Sequence, residues 1–133
     1  MKGDTCPECV FISPAAKLLT KEQLSQLEDN CATTNLKPGD IIFKQGVFSN
    51  HIVYLRNGIA KIHFEGASRD QILKIVKGPR YLGIPTTFDE KFYQYSASTV
   101  ESSVACYIDI DIFKNFIQNN GHFAYEIIVE LCK

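Results

Sequence analysis

Short strands closed by glycines are the feature that most restricts what this chain can fold into. Between residues 33 and 110 the sequence runs as brief stretches of β-forming residues, with glycines at positions 39, 46, 58, 66, 78 and 83. Turn residues at intervals of roughly 8–12 residues are typical of a β-sandwich or barrel, whose chain turns a corner every few residues. The middle of the chain is therefore predicted to be a rolled β-sheet.

Alternation of side chains locates the strands. They are predicted over residues 40–44, 51–56, 59–64, 71–76, 81–82, 96–100 and 103–110. Asn57-Gly58 predicts a tight β-hairpin between the second and third strands, because a type I′ turn needs positive φ at both positions. The third strand then has Ile62 and Phe64 on one face and His63 on the other.

A short helix is predicted before the β run. Thr20 and Gln23 form a capping box, in which each side chain bonds the other residue's backbone N–H. Leu27 and Cys31 recur at helical spacing on the apolar side of a helix over residues 21–30.

Two further helices are predicted after the β run. Asp111 is a suitable N-cap for a helix over residues 112–119, and Asn120-Gly121 ends it with residues that tolerate left-handed backbone geometry. The last helix, 122–133, is apolar around most of its circumference, which favours burial on most sides. We expect it to pack against a second copy of the chain or to continue in a longer protein. The residues expected at that dimer interface are Phe123, Ile127, Ile128 and Leu131.

Composition argues against several other classes. Fourteen basic residues against fifteen acidic ones give a net charge of −1, so this segment by itself is a poor binder of DNA phosphates. No apolar run approaches the ~20 residues of a membrane helix, and the N-terminus lacks the apolar stretch of a signal peptide. A cytoplasmic, reducing location is expected, where the five cysteines would not form a complete disulfide set.

Five short stretches in a particular order give the sequence a family resemblance. They read LLTKEQLSQLE, LKPGDIIFKQG, IVYLRNGIAKIHF, YLGIPTTF and SASTVESSVACYIDIDIFKNFI. With them, residues 18–133 resemble the sensor domain of the Crp/Fnr superfamily of bacterial transcription regulators. The resemblance implies a mostly β fold with flanking α-helices: a double-stranded β-helix, or jelly roll, with a short N-terminal helix and two C-terminal helices.

The resemblance also implies a domain organisation. Residues 1–19 are interpreted as a tail, residues 20–120 as the β-roll sensor domain and residues 121–133 as the start of a dimerisation helix. In the family a helix-turn-helix follows and reads DNA, and that domain is absent from this chain. We therefore expect a homodimer, an unknown small-molecule effector, no membrane association and no enzymatic activity. DNA would be contacted only through a domain outside this chain.

The family's effector pocket implies a candidate site. In the family, a Gly-Glu-Leu turn holds the ribose of a cyclic nucleotide and a later Arg-Ser pair holds its phosphate. Here the turn reads Gly83-Ile84-Pro85, and Tyr93-Gln94 match the later pair. A phosphate buried without a cationic partner is costly, so cyclic AMP is not the expected effector. The expected pocket residues are Gly83, Ile84, Pro85, Thr86, Lys91, Tyr93, Gln94 and Ser96.

The N-terminal CPEC motif implies a second candidate site. The fumarate–nitrate-type members of the family carry iron–sulfur ligands there, with a further cysteine late in the roll. Cys6 and Cys9 match the close pair and Cys106 matches the late position, while Ala15 stands at the remaining one. One of the four thiolates that a [4Fe–4S] cluster normally takes is therefore missing, unless Cys31 or an external ligand replaces it. The other interpretation is that Cys106 is a small buried hydrophobe and that the CxxC is a metal half-site or redox pair.

Several functions remain open at this point. The leading hypothesis is the sensor domain of a Crp/Fnr-type regulator with an effector other than cyclic AMP, and the first alternative is an iron–sulfur or thiol redox sensor of the same family. A stand-alone ligand-binding module, a thiol oxidoreductase and a cupin-like metalloenzyme are the others. The last needs clustered histidines, whereas His51 and His63 are far apart in sequence.

Overall fold

The fold is a roll of two antiparallel sheets with helices packed on one of them. A computed structural model describes residues 13–84 and 91–132. Its helices are a 3-10 turn at Ala16–Leu18, α1 at Lys21–Asp29, α2 at Ile110–Asn119 and α3 at Gly121–Leu131. Its strands are β1 Cys31–Leu36, β2 Ile41–Phe43, β3 His51–Asn57, β4 Ile59–Glu65, β5 Asp70–Lys77, β6 Arg80–Leu82, β7 Ser96–Thr99 and β8 Ser103–Asp109.

The strand order confirms the predicted jelly roll. One sheet, here called sheet A, has the order β1-β8-β3-β6, and the other, sheet B, has the order β2-β7-β4-β5. Both are antiparallel throughout their pairings. Strands that follow each other in the chain therefore often lie in different sheets, as rolling requires.

Two hydrophobic clusters hold this arrangement together. The inner cluster fills the space between the sheets and includes Val53 and Leu55 of β3 with Ala60 and Ile62 of β4. The outer cluster joins the helices to the other face of sheet A. Its largest members from the helices are Leu27, Phe113, Phe116 and Phe123, each no more than 2% exposed. Strand β3 contributes alternate residues to the two clusters, so sheet A is buried on both faces.

The predicted hairpin at Asn57-Gly58 is wrong. Strand β3 pairs with β6 and β8, while β4 pairs with β5 and β7. Of Asn57 and Gly58, only Gly58 has positive φ, at 108°. The Gly58 carbonyl accepts a hydrogen bond from Gly78 N–H at 3.0 Å. The dipeptide is thus a corner that carries the chain from sheet A to sheet B.

Strand β4 keeps the predicted alternation, but burial follows it only in part. Ile62 faces the inner cluster opposite Ala97. His63 is on the other side and is nevertheless only 9% exposed, with Nε2 at 2.9 Å from Ser98 Oγ. Phe64, near the end of the strand, is 42% exposed. The burial of a β4 side chain therefore depends on its position along the strand as well as on the face of the sheet to which it belongs.

The helix ends confirm one predicted cap and correct two. Thr20 and Gln23 form the capping box, each bonding the other's N–H at 3.1 Å. The cap of α2 is Asp109 rather than Asp111, because Asp109 Oδ1 accepts the N–H of Asp111 at 2.8 Å. Asn120 is extended, with φ −144°, and caps α3 by accepting Phe123 N–H at 3.0 Å. Asn120 thus ends α2 as predicted, but in an extended instead of a left-handed conformation, and it also begins α3.

In the two described ranges, no helix is long and apolar enough to cross a membrane.

Candidate ligand-binding site

A groove of about 320 Å³ lies where the two sheets meet the C-terminal helix. Its apolar floor is made of Ile62, Val76 and Leu82, each less than a tenth exposed. They belong to β4, β5 and β6, so both sheets contribute. The full lining is Ile62, Leu73, Lys74, Val76, Arg80, Tyr81, Leu82, Gly83, Tyr95, Glu130 and Leu131.

The polar part of the groove consists of three charged side chains and two tyrosines. Lys74 is exposed on the edge strand β5, and Arg80 is half-buried at the start of β6. Glu130 comes from α3, on the helical side. Burial raises the pKa of Tyr95, although a tyrosine is protonated at neutral pH even without that shift. The walls thus contain basic, acidic and phenolic side chains.

Tyr81 joins the groove to the helical core. Its hydroxyl lies 2.9 Å from Ser13 Oγ, and both groups are buried. Its ring packs at 4.8 Å from the ring of Tyr54 and at 6.0 Å from that of Phe113 in α2. Burial raises the pKa of Tyr81, and it raises that of Tyr54 to about 12, with the Glu130 carboxylate adding to both shifts. Tyr81 therefore contacts both the groove and the ring of Phe113 in α2.

Of the predicted pocket residues, Gly83 lines the groove. Its φ is +86°, and a Cβ added there would lie 3.5 Å from the ring of Tyr93 and 3.6 Å from that of Phe43. Ile84 is 3% exposed and packs in the outer cluster. Pro85 and Thr86 are outside the described residues. Glycine is favoured here by the positive φ, while the two rings lie at ordinary van der Waals distance from an added Cβ.

Tyr93, Gln94 and Ser96 are not in the groove lining, whereas Tyr95 lines it. Tyr93 stacks on Phe43 at 4.3 Å, and its hydroxyl donates to the carbonyl of His51 at 2.8 Å. Ser96 is buried, and its hydroxyl donates to Glu65 Oε2 at 3.1 Å. Gln94 is exposed and donates to the carbonyl of Phe92. The polar atoms of these side chains therefore have partners within the roll.

Lys91 lies at a different hollow, of about 410 Å³. This second hollow is formed by the start of β3 and the start of α2. It is lined by Phe48, Ser49, Asn50, His51, Lys91, Asp109, Ile110, Asp111 and Lys114. The structure thus separates Lys91 from the groove that contains Gly83, and its role in effector binding stays a prediction.

Sequence reasoning missed the groove's charged and aromatic walls. Arg80 directly precedes a predicted strand. Tyr95 directly precedes Ser96, and because the family's pair ends in serine, Tyr95-Ser96 is an alternative match to the Arg-Ser pair. That match still supplies no arginine. Glu130 gave no signal, because only the packing of α3 brings it to the roll.

The predicted interface residues of α3 divide between two environments. Phe123 and Ile127 are each 2% exposed, and the ring of Phe123 meets those of Phe113 and Phe116. Ile128 is 57% exposed and Leu131 is 49% exposed. Only the latter two, of the four, remain accessible to a partner.

The described cysteines are close in the sheet but do not by themselves make a metal site. Cys31 starts β1 rather than lying on a helix face, and it is opposite Ile108, while Thr33 is opposite Cys106. Cys31 and Cys106 are thus diagonal neighbours on one face of adjacent strands. Both are disulfide-bonded, and Cys106 is fully buried. Cys132 is an exposed free thiol.

Metal binding is not supported by the part of the chain that the structure describes. It holds no group of three or more His, Cys, Asp or Glu side chains that could bind a metal ion. His51 contacts Asn50, and His63 contacts Ser98, so the two histidines do not converge. Cys6 and Cys9 are outside the described residues. The iron–sulfur cluster therefore stays a prediction.

Comparisons with known proteins agree with this architecture. The chain is similar in structure to the sensor domain of the transcriptional regulator DNR from Pseudomonas aeruginosa, with 21% identity, a TM-score of 0.81, and 95% of this chain and 90% of that one covered. It is also similar to a putative cyclic nucleotide-binding protein from Geobacter metallireducens GS-15, with 17% identity, a TM-score of 0.74 and coverages of 94% and 97%. It is also similar to Thermus thermophilus Catabolite Activator Protein, with 17% identity, a TM-score of 0.70, and 90% of this chain and 57% of that one covered.

These similarities, at low identity, show the fold alone. The chain spans 59% of the longer DNR chain, and no curated protein matches it. The sequence model of the cyclic nucleotide-binding domain matches residues 33–120, which is more than half of the chain. On that match, the chain belongs to the cyclic nucleotide-binding domain family.

Proposed function

We propose that this chain is the effector-sensing domain of a Crp/Fnr-type DNA-binding transcription regulator, with no catalytic role of its own. One observation carries the proposal: the groove is walled on one side by Glu130 and Leu131 of α3. Tyr125 and Ile128 are exposed apolar side chains of the same helix, and Ile128 is three positions from Leu131, so the two are neighbours on the helix surface. An effector in the groove would therefore contact the same helix whose exposed apolar side chains are offered to a second copy.

Cyclic AMP is a poor candidate for that effector. Ile84 stands where the family's ribose-binding glutamate is expected, and its side chain is buried in the outer cluster. Tyr93, at the position matched to the phosphate-binding arginine, uses its hydroxyl on the carbonyl of His51. Neither residue can replace the charge of its family counterpart.

A fusion experiment tests the proposed function. The chain would be joined to a DNA-binding domain that represses a reporter only as a dimer. We expect repression by the wild-type fusion and its loss in Ile128→Glu. The matched control is Ile41→Glu, since Ile41 on β2 is 55% exposed against 57% for Ile128 and lies away from α3. No repression by the wild type, together with a monomer in sedimentation, would contradict the proposal.

A second candidate, a thiol redox sensor, is favoured by the neighbouring positions of Cys31 and Cys106 in the sheet and their disulfide-bonded state. Disulfides are rare in a reducing cytosol unless they are catalytic or redox-sensing. Peptide mapping after equilibration between about −320 and −220 mV, the cytosolic range, tests it. A sensor would lose its disulfides within that window, with Cys132→Ser as the control. Thiols at every potential would exclude it, and iron with sulfide in anaerobically purified protein would support the cluster instead.

A further inference from the structure

The bonding state of the cysteines limits their possible partners. The chain has five cysteines. Cys31 and Cys106, here called the sheet cysteines, are both disulfide-bonded, whereas Cys132 is a free thiol. The sheet cysteines are therefore bonded either to each other or to the two cysteines of the CPEC motif in the tail.

The register of sheet A argues against a bond between the two sheet cysteines. Cys106 lies directly opposite Thr33, and Cys31 lies directly opposite Ile108, so the two cysteines are diagonal neighbours. Diagonal neighbours on antiparallel strands are about 7–8 Å apart, whereas a disulfide usually joins Cα atoms about 4.4–6.8 Å apart. The partners that remain are the tail cysteines, Cys6 and Cys9.

The first described residues of the chain lie on the same face of sheet A as Cys106. Ser13 is fully buried, and its Oγ is 2.9 Å from the hydroxyl of Tyr81. Tyr81, Tyr54 and Cys106 form one row across β6, β3 and β8. At about 4.8 Å between neighbouring strands, Cys106 is roughly 10 Å from Tyr81 along this row. Cys9 is four residues before Ser13, a separation that spans up to ~14 Å, so it can reach the sheet cysteines.

We propose that two disulfides link the tail to sheet A, each joining one tail cysteine to one sheet cysteine. The four members are Cys6, Cys9, Cys31 and Cys106. The proposal rests on the thiol redox sensor, the second candidate for the function, and it specifies which thiols that sensor pairs. It also gives Cys31 a role that the family pattern does not assign.

The surroundings of the sheet cysteines suit reversible chemistry. Cys31 is half-buried and Cys106 is fully buried, so a small dithiol should reduce the Cys31 disulfide first. Each reduction takes two electrons and two protons from the dithiol, which becomes a disulfide, and leaves two thiols on the chain. The Thr33 hydroxyl lies 3.3 Å from Cys106 Sγ, and its donation to the sulfur would stabilise a thiolate there.

The tail also connects this chemistry to α3. Ala15, which follows the tail cysteines in the chain, belongs to the outer cluster together with Phe123 and Ile127 of α3. Asn120, the N-cap of α3, donates from Nδ2 to the carbonyl of Leu18 at 2.9 Å. The disulfides therefore fix a segment against which α3 packs, and their reduction would free that segment next to the helix proposed for dimerisation.

Peptide mapping of the oxidised wild-type chain tests the pairing without any substitution. Labelling at mildly acid pH, where few thiolates remain to exchange disulfides, should mark only Cys132. Digestion with trypsin and a glutamate-specific protease cuts after Glu8 and so separates Cys6 from Cys9. We expect two linked products, each with one tail cysteine and one sheet cysteine. A link within the tail pair or within the sheet pair would overturn the proposal.

Thiol counting in a double variant gives an independent test. Oxidised Cys6→Ser/Cys9→Ser should contain three thiols, on Cys31, Cys106 and Cys132. A direct bond between the sheet cysteines would leave only one thiol and would overturn the pairing, while the redox-sensor candidate would still stand. The matched control, Cys132→Ser, should contain no free thiol and give the same two linked products as the wild type. Repression by the dimer-dependent fusion reports on the proposed function separately.

Discussion

Replacing Gly58 by alanine should be the most destabilising single methyl addition in the roll. Gly58 is the corner between β3 and β4, with φ at +108°. A Cβ there would lie 2.5 Å from Ser103 Cβ and 2.8 Å from Ser103 Cα. The second of these atoms is backbone, so a change of side-chain rotamer cannot relieve the clash.

The expected magnitude follows from two separate effects. Holding a non-glycine residue in this backbone region costs about 1–3 kcal/mol, and forcing a methyl group into filled space costs about 1–3 kcal/mol more. The sum, roughly 2–6 kcal/mol, is a large part of the ~5–15 kcal/mol that stabilises a typical domain. We therefore expect Gly58→Ala to be close to the limit of folding.

Two other glycines separate the effects in urea unfolding measurements. Gly39 has φ +90° with no atom within 4 Å of an added Cβ, so Gly39→Ala should lose only the backbone part. Gly121, in the first turn of α3, has neither problem. Gly121→Ala should leave stability unchanged or raise it by up to about 1 kcal/mol, because alanine is the better helix former.

A double variant keeps the prediction testable even if Gly58→Ala does not fold. Ser103→Gly removes the clash with the serine side chain and leaves the clash with the main chain of residue 103. Gly58→Ala combined with Ser103→Gly should therefore recover about 1 kcal/mol or more by a double-mutant cycle. A Gly58→Ala loss within about 0.5 kcal/mol of the Gly39→Ala loss, inside the usual error of additivity, would refute the reasoning.

Three further predictions follow from the site and its surroundings. Calorimetry should find no micromolar binding of cyclic AMP, because Ile84 and Tyr93 lack the needed charges; micromolar affinity would contradict this. Sedimentation should show that Ile128→Glu separates a dimer, while Ile127→Glu, at a position 2% exposed, instead lowers stability by several kcal/mol; a monomeric wild type would refute the interface. Burial raises the Tyr54 pKa from 10 to about 12, so its contribution to stability is complete below pH 10 and is lost as the pH rises towards 12. Tyr54→Phe should reduce the loss of stability at alkaline pH, and an unchanged slope of stability against pH would contradict the raised pKa of Tyr54.

Local patterns in the sequence predicted the order of most elements, although strand β1 at Cys31–Leu36 was not among the predicted strands. Alternation of side chains predicted strands at 51–56 and 103–110, and Thr20 with Gln23 predicted a capping box. Both patterns depend on residues a few positions apart, and the structure contains these strands and the capping box. The N-cap of α2 was harder to predict from the sequence, because Asp109 and Asp111 are the same residue type and aspartate is a good N-cap. The choice between them depends on where β8 stops pairing.

Interactions between distant segments decided how those elements combine. Asn57-Gly58 carries the same local signal in a hairpin and in a corner, and the pairing of β3 with β6 and β8 selects the corner. The sequence did not indicate which side of the apolar helix α3 would be buried against the rest of the domain. Packing against α2 buries Phe123 and leaves Ile128 in solvent.

At the groove, too, some features were predictable from the sequence and others only from the tertiary structure. Gly83 was predicted from the sequence because Gly83-Ile84-Pro85 matches the Gly-Glu-Leu turn of the family's effector pocket. Arg80 belongs to β6, Tyr95 directly precedes β7, and Glu130 belongs to α3. No spacing in the sequence relates them. Their convergence results from rolling two sheets together and closing the end with a helix. Burial and the convergence of distant side chains are properties of that closed surface, so only the tertiary structure could supply them.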